Sequence, residues 1–364
     1  MNRPMILAIN PGSTSTKFAV FYGEELVLKE TIKHSDRELS DFKSIASQLD
    51  FRFNLLIEFL KKQQTAIERF DAIVGRGGFL KPLKSGTYFV DKAMIEDLKA
   101  AKYGEHASNL GALLADKVAK QIGKSAYIVD PIVVDEFEDV ARISGLPDLE
   151  RKSNFHALNV KAVSGEVADM FGKSYTLLNF IVAHLGSGIS VAAHKKGKVI
   201  DVNNANNEGP FSPERSGGLP AYQLVKLCFS GKYNEEELLK RISKEGGLFA
   251  YLGTKNAEEI EDRIKQNDKK AKLILDSMVY QIAKEIGAMS AVLDGEVDGI
   301  ILTGGLSYSD YISKEITKKV KFIAPIYSIP GEEELEALAH GVLRILNGQD
   351  TAKKYQELYI LNNN

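Results

Sequence analysis

Two stretches of this chain repeat one another. Ile6-Leu7-Ala8-Ile9-Asn10-Pro11-Gly12-Ser13 and Ile181-Val182-Ala183-His184-Leu185-Gly186-Ser187 align when Gly12 is set on Gly186. In each copy an apolar strand ends in a polar side chain, Asn10 or His184, and turns tightly at Gly-Ser. A second strand follows, through Phe18-Ala19-Val20 in one copy and Val191-Ala192-Ala193 in the other. One such hairpin is more often a structural turn than a functional loop, since Gly-Ser suits hairpins in any mixed sheet. Two related units point to a duplicated domain, with a boundary between Pro147 and Asn179. A length of 364 residues, at about 150 per domain, suits two domains.

Around the repeat, strand-like and helix-like runs alternate, which predicts an α/β architecture. Strands are expected at Met5–Ile9, Lys17–Phe21, Ala72–Val74, Tyr127–Val129, Gly299–Leu302 and Lys321–Ile326. Apolar side chains at helical spacing predict helices over Asp41–Lys62, Leu110–Ile122, Asp276–Leu293 and Leu306–Lys319. The acidic run Glu332-Glu333-Glu334 reads as a helix start capped by its own charge, which suits the helix dipole. Asn362-Asn363-Asn364 reads as a frayed end. The expected domains are 1–150, joined by a C-terminal helix over about 332–364, and 151–331.

Composition excludes several classes. Lys+Arg 47 against Asp+Glu 49 leaves a formal charge of −2, which argues against a nucleic-acid or anionic-membrane surface. A 44% hydrophobic and 26% charged chain can bury a sizeable core. The single cysteine, Cys228, can form neither an internal disulfide nor a zinc site alone, so a reducing compartment is expected. Met1–Pro4 runs into a strand without a signal-peptide core, and no apolar run reaches membrane-spanning length. The expectation is a soluble cytoplasmic protein.

Three loops can bring bare backbone to a phosphate: Gly12-Ser13-Thr14-Ser15, Gly186-Ser187-Gly188 and Thr303-Gly304-Gly305. Lys17 follows the first, but no Walker A pattern, no strand-to-helix G-x-G-x-x-G and no protein-kinase motif set occurs. Arg76 in Gly75-Arg76-Gly77-Gly78 and Arg215 in Pro213-Glu214-Arg215-Ser216-Gly217-Gly218 can be pressed against a carboxylate or phosphate by their flanking glycines. One such arginine reads equally well as a surface ion pair; two, one per half, favour an anion clamp. Asp130, ending an apolar strand, suits Mg²⁺ or caps the Pro131 turn. His184 is the best placed histidine, whereas His34 and His194 fall in polar segments and read as surface residues. For any one histidine a structural role is as common as a catalytic one.

The strings Asn10-Pro11-Gly12-Ser13-Thr14-Ser15-Thr16-Lys17, Phe155-His156, His184-Leu185-Gly186-Ser187-Gly188 and Arg215-Ser216-Gly217 together resemble the signatures of the acetate and butyrate kinase family. That family lies within the superfamily of actin, sugar kinases and heat-shock chaperone ATPases, and the resemblance runs from Ile6 to about Asn347. It implies two duplicated actin-like (ribonuclease H-like) domains with a nucleotide cleft between them, ATP/ADP and Mg²⁺ as cofactors, and a short-chain carboxylate as partner. It implies a homodimer or larger homo-oligomer. The family's residues around the transferring phosphate fall on Asn10, Arg76, Arg215, Asp130, His106, His156, His184 and Glu333, with Glu332 and Glu334 as alternatives for the last. Asp130 and Glu333 are then the metal residues, while Gly12, Ser13, Lys17, Gly186, Ser187, Gly188, Gly304 and Gly305 serve the nucleotide.

Two departures favour the butyrate kinase branch, with its branched-chain fatty acid variants, over acetate kinases. Arg76 is followed by Gly77-Gly78-Phe79 where acetate kinases carry valines, and Phe155-His156-Ala157-Leu158-Asn159 replaces Phe-His-Gly-Thr-Ser-His. Glycine in place of branched side chains is expected to enlarge the acyl pocket. The function this implies is reversible, in-line phosphorylation of butyrate or a branched short acid to acyl phosphate. The rivals are an acetate or propionate kinase and, more remotely, a chaperone-type ATPase, against which two glycine-flanked arginines suit a small anion.

Overall fold

A computed structural model describes residues 3–356. The chain forms two compact units, Met1–Val134 with Glu333–Asn364, and Asp135–Glu332. Residues 362–364, expected to fray, lie outside the described residues.

The first unit is built on β1 (Met5–Pro11), β2 (Ser15–Tyr22), β3 (Glu25–Lys33), β4 (Ala72–Arg76), β5 (Thr87–Phe89) and β6 (Ser125–Val129). The second carries β7 (Asn179–Leu185), β8 (Ile189–Lys195), β9 (Lys198–Val202), β10 (Gly299–Gly304) and β11 (Ile326–Pro330), and β12 (Lys353–Lys354) returns to the first. The first sheet runs β12-β5-β6-β4-β1-β2-β3 and the second β11-β10-β7-β8-β9. In the first, β1 to β3 form an antiparallel meander while β4 and β6 lie parallel on the other side of β1. In the second, β7 to β9 form the meander and β10 and β11 are the parallel pair. The same order and the same directions recur, so the repeat noticed in the sequence is a repeat of topology. This is the duplicated actin-like α/β fold.

The central strands are buried along their whole length: every residue of β1, β7 and β10 is buried. Helices on both faces require continuous apolar runs in such strands. Helices Asn109–Ile122 and Glu334–Leu346 pack on β1, β4 and β6, and Ala157–Met170 and Lys269–Val292 pack on the second sheet. The edge strand β3 reads Glu-Leu-Val-Leu-Lys-Glu-Thr-Ile-Lys and stays largely exposed, its charges protecting an open edge. No helix among the described residues is long and apolar enough to cross a membrane.

Several expected elements shift. The helix expected from Asp41 starts at Leu49, because Ser44 and Ser47 bond each other's backbone and hold a turn. Lys321–Ile326 is not a strand: the Asp310–Val320 helix ends there, Phe322 is exposed, and the strand is Ile326–Pro330. The helix expected from Leu306 opens instead with a 3₁₀ turn over Gly305–Tyr308, and Ser309 caps the helix by accepting from Ile312 N–H. His34 and His194 are buried, not on the surface. His194 is turned inward within β8, and His34, just past β3, is held by its N–H on Thr14 O; His34 Nε2 meets the Thr16 hydroxyl at 2.8 Å and His194 Nδ1 meets Tyr175 Oη at 2.6 Å.

Candidate active site

In the first unit, Asn10 ends β1 and Arg76 ends β4 beside it. Both reach one carboxylate. Asn10 Nδ2 donates to Glu334 Oε2 at 2.5 Å, and Arg76 Nη1 donates to the same oxygen at 2.8 Å. The side chain of Glu334 is 6% exposed and that of Arg76 20%, so the pair is shielded but open to one side. The expectation that the acidic run merely caps its helix is corrected here. Glu333 occupies the cap position with no side-chain cap bond and is exposed, while Glu334 turns inward to the arginine.

Lys17 sits directly opposite Asn10 across the β1–β2 ladder, which places both on one face of the sheet. The Gly12–Ser15 turn between them exposes Ser13 and Thr14. His106 accepts the Ser108 N–H at Nδ1 (3.2 Å), so its neutral form carries the proton on Nε2. Asp130, at positive φ, accepts the Gly86 N–H through Oδ1 at 2.7 Å.

The glycines after Arg76 do not open a larger pocket. A Cβ on Gly77 would lie 2.5 Å from Pro131 Cβ, and one on Gly78 would lie 2.3 Å from Asn109 Oδ1. Glycine is needed there because that space is already filled, which corrects the expected link to acyl-chain size.

In the second unit, His184 ends β7, fully buried. Its Nδ1 lies 2.8 Å from Asn159 Oδ1, near the start of the Ala157–Met170 helix, and Thr303 Oγ1 of β10 donates to that same oxygen at 3.3 Å. His156 stacks on the His184 ring at 3.7 Å between centroids and 11° between planes. Glu332 Oε1 stands 3.0 Å from His184 Nε2 without aligned hydrogen-bond geometry. With Nδ1–H held by Asn159, Nε2 accepts in the neutral ring and donates only in the imidazolium.

Beside His184, Arg215 lies on the Gly186-Ser187-Gly188 turn. A Cβ on Gly188 would meet Arg215 Nη1 at 2.5 Å, so only glycine lets the guanidinium rest there. Nη1 donates to Ala205 O at 2.9 Å and Asn206 Oδ1 at 2.8 Å. No ion pair to Arg215 is found among the described residues, and burial pulls its guanidinium below its ordinary range. The remaining guanidinium donors are therefore available to an anion. The Ser212 hydroxyl holds the Ser187 carbonyl. Gly304 adopts positive φ and opens the 3₁₀ turn that carries Gly305.

Each half thus presents a glycine turn, a polar strand end and an arginine, the equipment of an enzyme that handles phosphoryl anions. The chain belongs to the acetokinase family, whose model matches residues 148–329. It is 55% identical over 96% of its length to butyrate kinase 2 of Clostridium acetobutylicum, and 50% identical over 96% to butyrate kinase 1 of the same organism, in each case spanning 99% of the relative. Among solved structures, acetate kinase of Porphyromonas gingivalis superposes with a TM-score of 0.78 at 20% identity, covering 94% of this chain and all of that one. A propionate kinase of Francisella tularensis superposes at 0.71 and 20% identity, covering 92% and 98%. At that identity these structures establish the fold.

Asn159 and Ser212 were not singled out from sequence, and Glu334 stood there only as an alternative to Glu333. Asn159 carried a signal, since it is the polar residue among the apolar positions Ala157, Leu158 and Val160.

Proposed function

We propose that this chain phosphorylates butyrate, reversibly, at the expense of ATP, giving butyryl phosphate and ADP. The observation that carries this is the 55% and 50% identity, over 96% of the chain, to two butyrate kinases. The butyrate carboxylate oxygen forms the new P–O bond to the γ-phosphorus as the bond to the β-phosphate bridging oxygen breaks. The nucleophile is already an anion, so no general base is required, and catalysis rests on positioning and charge neutralisation.

Arg76 and Arg215 supply planar cations to the carboxylate and the equatorial phosphoryl oxygens. Asn10 donates a hydrogen bond, His184 presents its Nε2, and the stacked His156 ring fixes the plane of His184. His106 is the third histidine of the set. The Gly12, Gly186 and Gly304 turns, with Ser13, Lys17, Ser187, Gly188 and Gly305, receive the nucleotide. Asp130, one oxygen of which holds the Gly86 N–H, and the exposed Glu333 would hold Mg²⁺ brought in on the nucleotide, the phosphates supplying further ligands, since no cluster of three or more acidic, histidine or cysteine side chains is ready for a metal among the described residues. Held there, the ion would neutralise phosphate charge.

The Ala221–Cys228 helix leaves Tyr222 and Val225 exposed, with Phe229 just beyond it, an apolar face suited to a second copy of the chain. Light scattering tests that homo-oligomer. The single, free Cys228 suits a cytoplasmic location.

Trapping with hydroxylamine tests the reaction. Butyryl hydroxamate should form only with ATP and Mg²⁺, and its absence with every short acid would refute the kinase. Comparing kcat/KM across acids of two to five carbons tests the preference for butyrate over acetate or propionate.

A further inference from the structure

Arg52 lies in the Leu49–Lys62 helix, away from every motif named above, and is fully buried. Its Nη1 donates to Gly12 O at 2.8 Å, Ser15 O at 2.9 Å and Thr16 Oγ1 at 3.2 Å. Nη2 donates to Ser13 O at 3.0 Å and Gln48 Oε1 at 2.8 Å, and Nε donates to Gln48 Oε1 at 3.0 Å. The whole fork is used, and four of its six bonds go to the Gly12–Thr16 segment. No carboxylate pairs with Arg52 among the described residues. Burial lowers its guanidinium to about 10, so it remains a cation at neutral pH.

A buried cation without a counter-charge is costly, and an apolar residue could fill the space. Here the cation pulls three consecutive-turn carbonyls, those of Gly12, Ser13 and Ser15, toward the protein interior. The Ser13 and Thr14 N–H groups find no acceptor among the described residues, and both residues are exposed. The turn is polarised: the Gly12, Ser13 and Ser15 carbonyls face Arg52 and the Thr14 carbonyl takes the His34 N–H, the Gly12 N–H closes the turn on Ser15 O at 2.8 Å, and the Ser13 and Thr14 N–H groups are left over. The corresponding turn of the second unit is backed by the neutral Ser212 hydroxyl.

We propose that Arg52 is a positioning residue for nucleotide phosphate, holding the Gly12–Ser15 turn by its carbonyls so that the Ser13 and Thr14 N–H groups stay available, and placing an unpaired positive charge behind them. This rests on the reading of that turn as a phosphate loop. His34 is the other titratable group facing Thr16 from behind. Its Nε2 lies 2.8 Å from Thr16 Oγ1, and burial with the Arg52 charge lowers the ring to about 4, so it is neutral at neutral pH and the charge rests on Arg52 alone.

The test compares binding of ADP and of adenosine to the full-length parent, Arg52→Met, Arg52→Lys and Ser13→Glu, by calorimetry, with circular dichroism as a check on folding. Arg52→Met should weaken ADP about tenfold or more and leave adenosine within about twofold, a split that a merely structural role does not produce. Arg52→Lys keeps the cation and should recover at least half of the loss on a logarithmic scale; if Arg52→Met does not fold, the Lys variant against the parent carries the comparison, with an ADP loss of about threefold expected and no change in adenosine. Ser13→Glu places a negative charge on the turn and should weaken ADP strongly. If Ser13→Glu weakens ADP while folded Arg52 variants bind it like the parent, the role of Arg52 is overturned and the phosphate loop stands. If Ser13→Glu also leaves ADP unchanged, the phosphate-loop reading falls and the proposal with it.

Discussion

Asn159 Oδ1 receives both the Nδ1–H of His184, at 2.8 Å, and the hydroxyl of Thr303, at 3.3 Å. Glu334 does the same in the other unit, tying Asn10 on the first strand to Arg76 on the fourth. In both, a residue near a helix start joins the polar ends of two adjacent parallel strands. One copy of the device is neutral and the other is charged. Asn159→Leu leaves the buried His184 Nδ1–H without an acceptor, at about 1–3 kcal/mol, and frees the His184 ring, while the Thr303 hydroxyl keeps Gly331 O at 3.2 Å. We expect kcat to fall about tenfold or more with little change in the KM for butyrate, and Asn159→Asp, which keeps the acceptor, to retain most of the rate. Steady-state kinetics of the two variants check this.

Arg76→Ala should remove about 10²–10⁴ from kcat, as loss of a charge-stabilising group does. It also strands the shielded Glu334 carboxylate, so the melting temperature should fall. Glu334→Gln in the same background relieves that stranded charge and should restore much of the stability but none of the rate. Turnover at the parental rate by Arg76→Ala would remove it from the site, and Arg215→Ala is judged by the same measure.

Gly78→Ala should behave as a packing mutation. Its new methyl meets Asn109 Oδ1 at 2.3 Å and Asn109 Cα at 2.5 Å, and Asn109 holds the Phe79 N–H and the Gly104 carbonyl. The expected result is lost stability with the relative kcat/KM for acetate and butyrate unchanged in the folded fraction. A clean switch toward acetate would show that these glycines do shape the acyl pocket.

Burial, aided by Arg52, lowers His34 to about 4 from its ordinary 6.5. The unfolded chain therefore binds a proton that the folded chain refuses between those values. Stability rises with pH across that window, is complete above about 6.5 and is lost as pH falls toward 4. The difference is about 3 kcal/mol for a full shift of this size. His194, pushed the same way by burial and by Lys161, adds to it. Chemical denaturation of the parent and His34→Asn at pH 7 and pH 4.5 should show the variant losing less stability on acidification.

The strands that carry Asn10 and His184 were legible because each is an apolar run cut off by a polar residue and a Gly-Ser turn. Local pattern and final burial agree there. Strand β3 was not legible, since an exposed edge strand needs no apolar face. The histidines misled for a related reason: His34 and His194 sit among polar neighbours in sequence, and only tertiary pairing, of His194 within β8 and of His34 with the turn at Thr14, turns them inward. Arg52 fell inside a helical period carried by Phe53, Leu56 and Leu60, where a charged residue looks like the solvated face. What distinguishes it is a turn some forty positions earlier, a pairing that no local window contains. Glu334 was one of three adjacent glutamates, and helix phase, which sequence fixes only to within a residue or two, decides which of them faces Arg76.

The second unit is one uninterrupted segment, Asp135–Glu332, whereas the first needs Glu333 onward to cover its sheet. As the chain leaves the ribosome, everything required to finish the second unit emerges while the first still lacks the helix that lies on β1, β4 and β6. The half made first is therefore completed last. Until Glu334 arrives, Arg76 and Asn10 sit at the ends of a sheet with one face bare, and a nascent chain stalled before that point would hold a closed second unit beside an unfinished first one.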